Sequence, residues 1–105
     1  MSICTITLNA RSKQRVNLDQ ILYLEGDVNY TSFHFQSRKR TIIAHSLKHF
    51  EADLLPRGFL RIHRSYIVNV DKVDSFDESS VFIQNHKLPL SDNNKEEFLA
   101  RIHCL

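Results

Sequence analysis

The chain has 105 residues, 42% of them hydrophobic and 25% charged, the balance of one globular domain able to close a core without metal or disulfide. Its apolar runs stop at four residues, which excludes a membrane-crossing helix; Met1-Ser2-Ile3-Cys4 lacks the basic and apolar regions of a secretory signal, so the cytoplasm is the expected location. A formal charge of +2 is too small to imply an anionic partner by itself, and Cys4 and Cys104, near opposite ends of the chain, read as free thiols.

In chain order, residues 3–8 alternate Ile3, Thr5 and Thr7 against Cys4, Ile6 and Leu8, a β-branched pattern that predicts a strand. A polar loop over residues 9–14 leads to a second short strand near Val16. Residues 21–25 are apolar and aromatic and predict a third, with Gly26-Asp27 as a turn or bulge. Residues 30–35 place Thr31, Phe33 and Phe35 on one face and Ser32 and His34 on the other. Arg38-Lys39-Arg40 then connects to a strand over residues 41–44. Ser46 reads as the N-cap of a short helix whose Leu47, Phe50 and Leu54 recur at helical spacing, closed by Pro56-Arg57-Gly58. Residues 66–70, 73–76 and 81–83 predict further strands, separated by polar turns at 77–80 and 84–87. Pro89, with no backbone N–H, restricts residues 87–90 to a sheet edge. A last helix is predicted over residues 92–102, capped by Ser91 and burying Phe98, Leu99 and Ile102. With no repeat, linker or low-complexity tract, residues 1–105 read as a single domain, mostly β with two short helices.

Little in this sequence points to catalysis. Among six histidines, His45 and His49 are four apart, but there is no His-Glu-x-x-His motif and no cysteine pair at zinc spacing, so solvent-facing histidines are expected and no metal. Asp71, Asp74, Asp77 and Glu78 lack calcium-loop spacing and read as a solvated acidic turn. Gly26 and Gly58 are the only glycines, too few for a phosphate-cradling loop, and no nucleophile elbow or Cys-His context is present. The expectation is a non-enzyme without cofactors. Basic residues group instead at Arg11/Lys13/Arg15, at Arg38/Lys39/Arg40 and at Arg57/Arg61/His63/Arg64. In the last group a guanidinium fork matches guanine O6 and N7, and an imidazole donates or accepts at base edges. A basic surface turn anchored by aromatics accounts for the same residues equally well.

The segment over residues 59–69, FLRIHRSYIVN, closely resembles the signature F-x-R-x-H-R-S-Y-I-V-N of the LytTR DNA-binding family, carried here by Phe59, Arg61, His63, Arg64, Ser65, Tyr66, Ile67, Val68 and Asn69. Other family landmarks follow in order: Ile21-Leu22-Tyr23-Leu24-Glu25-Gly26 with Asn29-Tyr30, Ser46-Leu47 with Leu54, and Val73, Val81 and Leu88-Pro89-Leu90-Ser91. The resemblance spans residues 3–102. It implies an elongated domain of small, mostly antiparallel sheets that presents loops to successive major grooves of a bent duplex. It also implies a bacterial transcription regulator whose partner is double-stranded DNA, often at direct repeats that line up two copies.

Carried over by position, the resemblance turns three loops toward DNA. The first holds Asp27 and Asn29, within residues 26–30. The second holds His63, Arg64 and Ser65, with Arg61 beside them. The third holds Ser91, Asp92, Asn93 and Asn94, with Lys95 behind, where free helix N-terminal amides can receive a phosphate. Where the family commonly has Ser-Arg, this chain has Ser91-Asp92. A carboxylate there repels phosphate, accepts a hydrogen bond from cytosine N4, or simply caps the helix. The family commonly adds a receiver domain or a membrane segment, and residues 1–105 contain neither. The alternative reading is a protein-interaction module that keeps the fold with weakened DNA affinity.

Overall fold

The alternation in residues 30–35 sets the layering of the computed structural model, which describes residues 3–7 and 13–102. Thr31, Phe33 and Phe35 are buried on one face while Ser32 and His34 are half-buried on the other. The elements run β1 Ile3–Thr7, β2 Lys13–Asn17, β3 Ile21–Asp27, β4 Tyr30–Phe35, β5 Thr41–Ile43, α1 Leu47–Leu54, β6 Phe59–His63 and β7 Tyr66–Asn69. They continue with β8 Ser75–Phe76, β9 Ser80–Ile83, β10 His86–Pro89 and α2 Asp92–Ile102. Every pairing is antiparallel: β1 with β2, a five-stranded sheet ordered β5-β4-β3-β7-β6, and a three-stranded sheet ordered β10-β9-β8.

The five-stranded sheet is the middle layer. On one face Phe33, Ile67 and Phe59 pack with Leu47, Phe50 and Leu54 of α1. On the other, Tyr23, Leu60, Ile62 and Val68 pack with Val81, Ile83 and Leu88 of the small sheet and Phe98 of α2. Phe33 and Phe98 are wholly buried, each contributing roughly 1.5–3 kcal/mol by removal from water. A bulge between Ile21 and Tyr23 breaks strict alternation, so Leu22 and Tyr23 both serve the second face while Ile21 and Leu24 serve the first.

Several expectations change. Gly26 and Asp27 are not a turn but the end of β3, and the chain reverses at Val28 and Asn29. The reason lies in α1: a Cβ on Gly26 would stand 2.8 Å from the Leu47 Cβ, so glycine is needed for close approach, not for turning. Ser46 occupies the N-cap position of α1 without a side-chain capping bond. Residues 59–63 form a strand that the uneven pattern Phe59-Leu60-Arg61-Ile62 concealed, since neighbours Phe59 and Leu60 are both buried, on opposite faces. The strand expected over 73–76 shrinks to β8, because Val70–Lys72 makes a single 3-10 turn capped by the Asn69 side chain. Lys13 and Gln14 belong to β2 rather than to a loop.

Other expectations hold. Leu47, Phe50 and Leu54 are the buried face of α1. Gly58, at φ 91°, ends the 3-10 turn Leu55–Arg57 in the left-handed conformation glycine favours. β10, with Pro89, is an edge strand, and α2 spans Asp92–Ile102 with Phe98 buried, although Leu99 and Ile102, expected beside it, are only partly buried. Leu8, Arg11 and Cys104 lie outside the described residues, as does the side chain of Cys4. No helix among the described residues is long and apolar enough to cross a membrane.

Candidate nucleic-acid interface

The signature segment divides by burial. Phe59, Leu60, Ile62, Ile67, Val68 and Asn69 are buried, so most of it is core. Asn69 anchors the far end: its Nδ2 donates to the carbonyls of Leu18 at 3.3 Å and Ile21 at 3.0 Å, and its Oδ1 accepts from Asp71 N–H at 3.2 Å. A buried carboxamide that satisfies three backbone groups cannot be replaced by an apolar residue without orphaning them. What remains for solvent is the turn between β6 and β7.

Arg61 braces that turn from within. Its Nε donates to the His63 carbonyl at 2.9 Å, one terminal nitrogen donates to the Arg64 carbonyl, and the other pairs with Glu51 Oε1 of α1 at 2.7 Å. The planar guanidinium fork fits three acceptors at once, which a lysine ammonium on its flexible stem cannot. Ser65 N–H donates to His63 Nδ1 at 3.1 Å; Nδ1 is therefore the unprotonated nitrogen and Nε2 carries the hydrogen. The Arg64 side chain is exposed, with no partner among the described residues.

Two backbone links draw the neighbouring loops to this turn. Ser91 N–H donates to the Ile62 carbonyl at 2.8 Å, and Asn94 N–H to the Ser91 carbonyl at 3.1 Å. Ser91 Oγ also donates to Asn94 Oδ1 at 2.5 Å. Ser91, Asn93 and Asn94 consequently line one groove with Arg61, His63 and Arg64. Across the turn, Gly26 N–H donates to the Ser65 carbonyl at 2.8 Å. Gly26, Asp27 and Val28 thereby line a second groove with Arg61, Arg64, Ser65 and the start of α1 at Ser46 and Lys48.

The three expected loops thus converge at one end of the molecule, with the β6–β7 turn in the centre. Asn29 is exposed beside Val28 but in the wall of neither groove, and the same holds for Asp92, exposed, and Lys95, half-buried. Ser46 and Lys48 join the second groove from outside the three expected loops, and Val28, within the first, was not singled out. A signal existed for Lys48, a cation in the first turn of a helix whose dipole disfavours it there. The β3–β4 tip carried another, a β-branched apolar residue where hairpins favour glycine or asparagine.

Below the second groove, Glu25 ties the sheet together. It accepts from His34 Nε2 at 3.2 Å and from Tyr66 Oη at 3.2 Å. Tyr23 stacks on His34 with centroids 4.3 Å apart, and its hydroxyl is hydrogen-bonded with His86 Nδ1 at 3.3 Å. Burial, then the Glu25 charge, pushes the Tyr23 phenol up to about 12, and the same causes raise Tyr66. Burial lowers the His34 pKa against the opposing pull of Glu25. At the opposite end of the β3–β4 hairpin, Arg38 lies 3.9 Å over the Phe35 ring beside a small cleft lined by Arg15 and Gln20. His45 and His49 stack at 4.2 Å, and no group of three or more metal-ligating side chains forms among the described residues.

The family model for the LytTr DNA-binding domain matches residues 12–103. A solved structure, described as the LytTr DNA-binding domain of a methyl-accepting/DNA response regulator from Bacillus cereus, is similar with a TM-score of 0.74 and 24% identity over 98% of each chain. At that identity the likeness speaks for the fold. No curated protein matches the sequence.

Proposed function

Since the chain belongs to the LytTr DNA-binding domain family, we propose that it binds double-stranded DNA sequence-specifically, through its converging loops in the major groove, as a bacterial transcription regulator acting in the cytoplasm. The observation that carries this reading is the braced β6–β7 turn, which holds Arg64 exposed, with no partner among the described residues, and fixes the hydrogen of His63 on Nε2. Arg64 is the guanine reader, its fork bidentate to O6 and N7, and His63 Nε2–H is a base-edge or phosphate donor. Asn29 supplies an amide at the neighbouring tip. Asp27, Ser65, Ser91, Asp92, Asn93, Asn94 and Lys95 form the rim, and Arg61 acts by shaping the turn. Residues 1–105 are one such domain. It works by binding rather than catalysis, and two copies line up on direct repeats.

Asp92 shifts the target sequence rather than abolishing binding, because it lies outside the wall of the groove that Ser91, Asn93 and Asn94 share with Arg64. Selection from random duplex DNA should enrich one motif, in direct repeats. Arg64→Ala should then weaken specific binding by about 1–3 kcal/mol, and binding to unrelated duplexes should fall steeply with salt as phosphate contacts release counterions. Unchanged specific binding by Arg64→Ala and by Asn29→Ala would sink the assignment. The competing reading, a protein-interaction module, is favoured by Tyr30 and Ile42, 53% and 55% exposed on one sheet face. A library that yields no enriched duplex even at low salt would turn the argument to that face.

A further inference from the structure

Val28 has no structural reason to be valine. It is 83% exposed, the most exposed large hydrophobic side chain among the described residues, so it contributes nothing to either core. Nor does the turn ask for it. Two-residue hairpin tips favour glycine, asparagine and aspartate, and a β-branched residue is poorly suited there. Among the described residues only Gln84 and Gly58 have positive φ, so the tip has no conformational demand that selects valine. The Val28 backbone N–H donates to Asp27 Oδ1 at 2.9 Å, a bond that any residue except proline provides.

Its surroundings combine three cations with Asp27, two serines and the largely buried Leu47. Val28 shares its groove with Lys48, Arg61 and Arg64, and it adjoins Asn29. An isolated branched apolar tip among such groups finds no complement in phosphate, but the major groove offers one apolar feature, the C5 methyl of thymine. Resting on the DNA-binding reading above, we infer that Val28 is a specificity-determining residue that reads one thymine through contact with that methyl group. Arg64 and Val28 then divide the work, the first taking a guanine edge by hydrogen bonds and the second a thymine by shape.

Replacing each thymine of the selected duplex, one at a time, with deoxyuridine removes only the methyl and keeps the base pair. The wild-type chain should lose about fourfold in affinity at one thymine, the value of roughly one buried methyl group. Val28→Ala should bind the all-thymine duplex weaker by about the same factor and be indifferent to replacement at that position. Indifference of the wild-type chain at every thymine, or an equal loss in Val28→Ala, overturns the inference and leaves DNA binding standing. Failure to enrich any duplex overturns both. Because Val28 is 83% exposed and belongs to neither core cluster, Val28→Ala leaves both cores intact and the comparison is read on the native domain.

Discussion

The β6–β7 turn and the β3–β4 turn stand side by side, joined by the backbone bond from Gly26 to Ser65, yet they are held differently. In the first, Arg61 gathers the carbonyls of His63 and Arg64 and is itself fixed to Glu51 of the helix behind. In the second, the only side-chain tie among the described residues is Asp27 to the neighbouring Val28 N–H. A braced turn presents donors at fixed positions, which is what bidentate base reading requires, because misdirected hydrogen bonds cost more than they return. A lightly held tip suits a non-directional apolar contact, whose energy depends on area removed from water rather than on angle. On the proposed reading, the two turns combine pre-organised polar contacts with an adaptable apolar one.

Breaking the brace should have the largest effect. Arg61→Met removes a charged donor from two carbonyls and a carboxylate, and should destabilise the fold by about 2 kcal/mol while weakening specific DNA binding at least as much. Chemical denaturation and a binding titration measure the two separately, and Arg61→Lys should rescue little because one ammonium cannot span the three acceptors. Gly26→Ala tests the junction of the turns. The added methyl meets Leu47 at 2.8 Å and should cost roughly 1–2 kcal/mol by overpacking, read as a lower thermal midpoint.

Smaller effects are expected at the free tip. Asp27→Ala removes a single exposed bond to Val28 N–H, and stability should change by no more than about 0.5 kcal/mol, while the thymine preference assigned to Val28 becomes less sharp. A greater loss of stability than that would mean the tip is braced after all. The smallest effect lies below both turns, at His34. Burial holds its pKa under the ordinary value of 6.5, so the unfolded chain takes up the proton at a higher pH than the folded one. Its contribution is therefore full above that value and is lost as pH falls below it toward the folded pKa. Denaturation midpoints at about pH 7.5 and about pH 5.5 should converge in His34→Gln relative to wild type. An unchanged difference would show that other groups carry the acid sensitivity.

Much of this was legible beforehand where information is local. The alternation of Thr31, Phe33 and Phe35 fixed the buried face of β4, and the spacing of Leu47, Phe50 and Leu54 fixed that of α1, because side-chain period follows directly from backbone geometry. The resemblance carried by residues 59–69 located the central turn. Strand β6 escaped notice because it is buried on both faces, where apolar neighbours such as Phe59 and Leu60 obscure the period of two. The bulge between Arg61 and His63 disturbed it further.

The sequence by itself determined the family and the mostly β architecture and marked out the three loops proposed to face DNA, since these depend on patterns within a few residues of each other. Only the tertiary structure decided how each residue is held there. It turned Arg61 from one cation of a cluster into the brace of the turn, through a carboxylate ten positions earlier in the chain. It turned Gly26 from a turn residue into a contact point for α1, and it left Val28 exposed beside the cations of the groove. Those roles follow from distances between elements far apart in the chain, set by sheet register and helix packing, which no local period encodes.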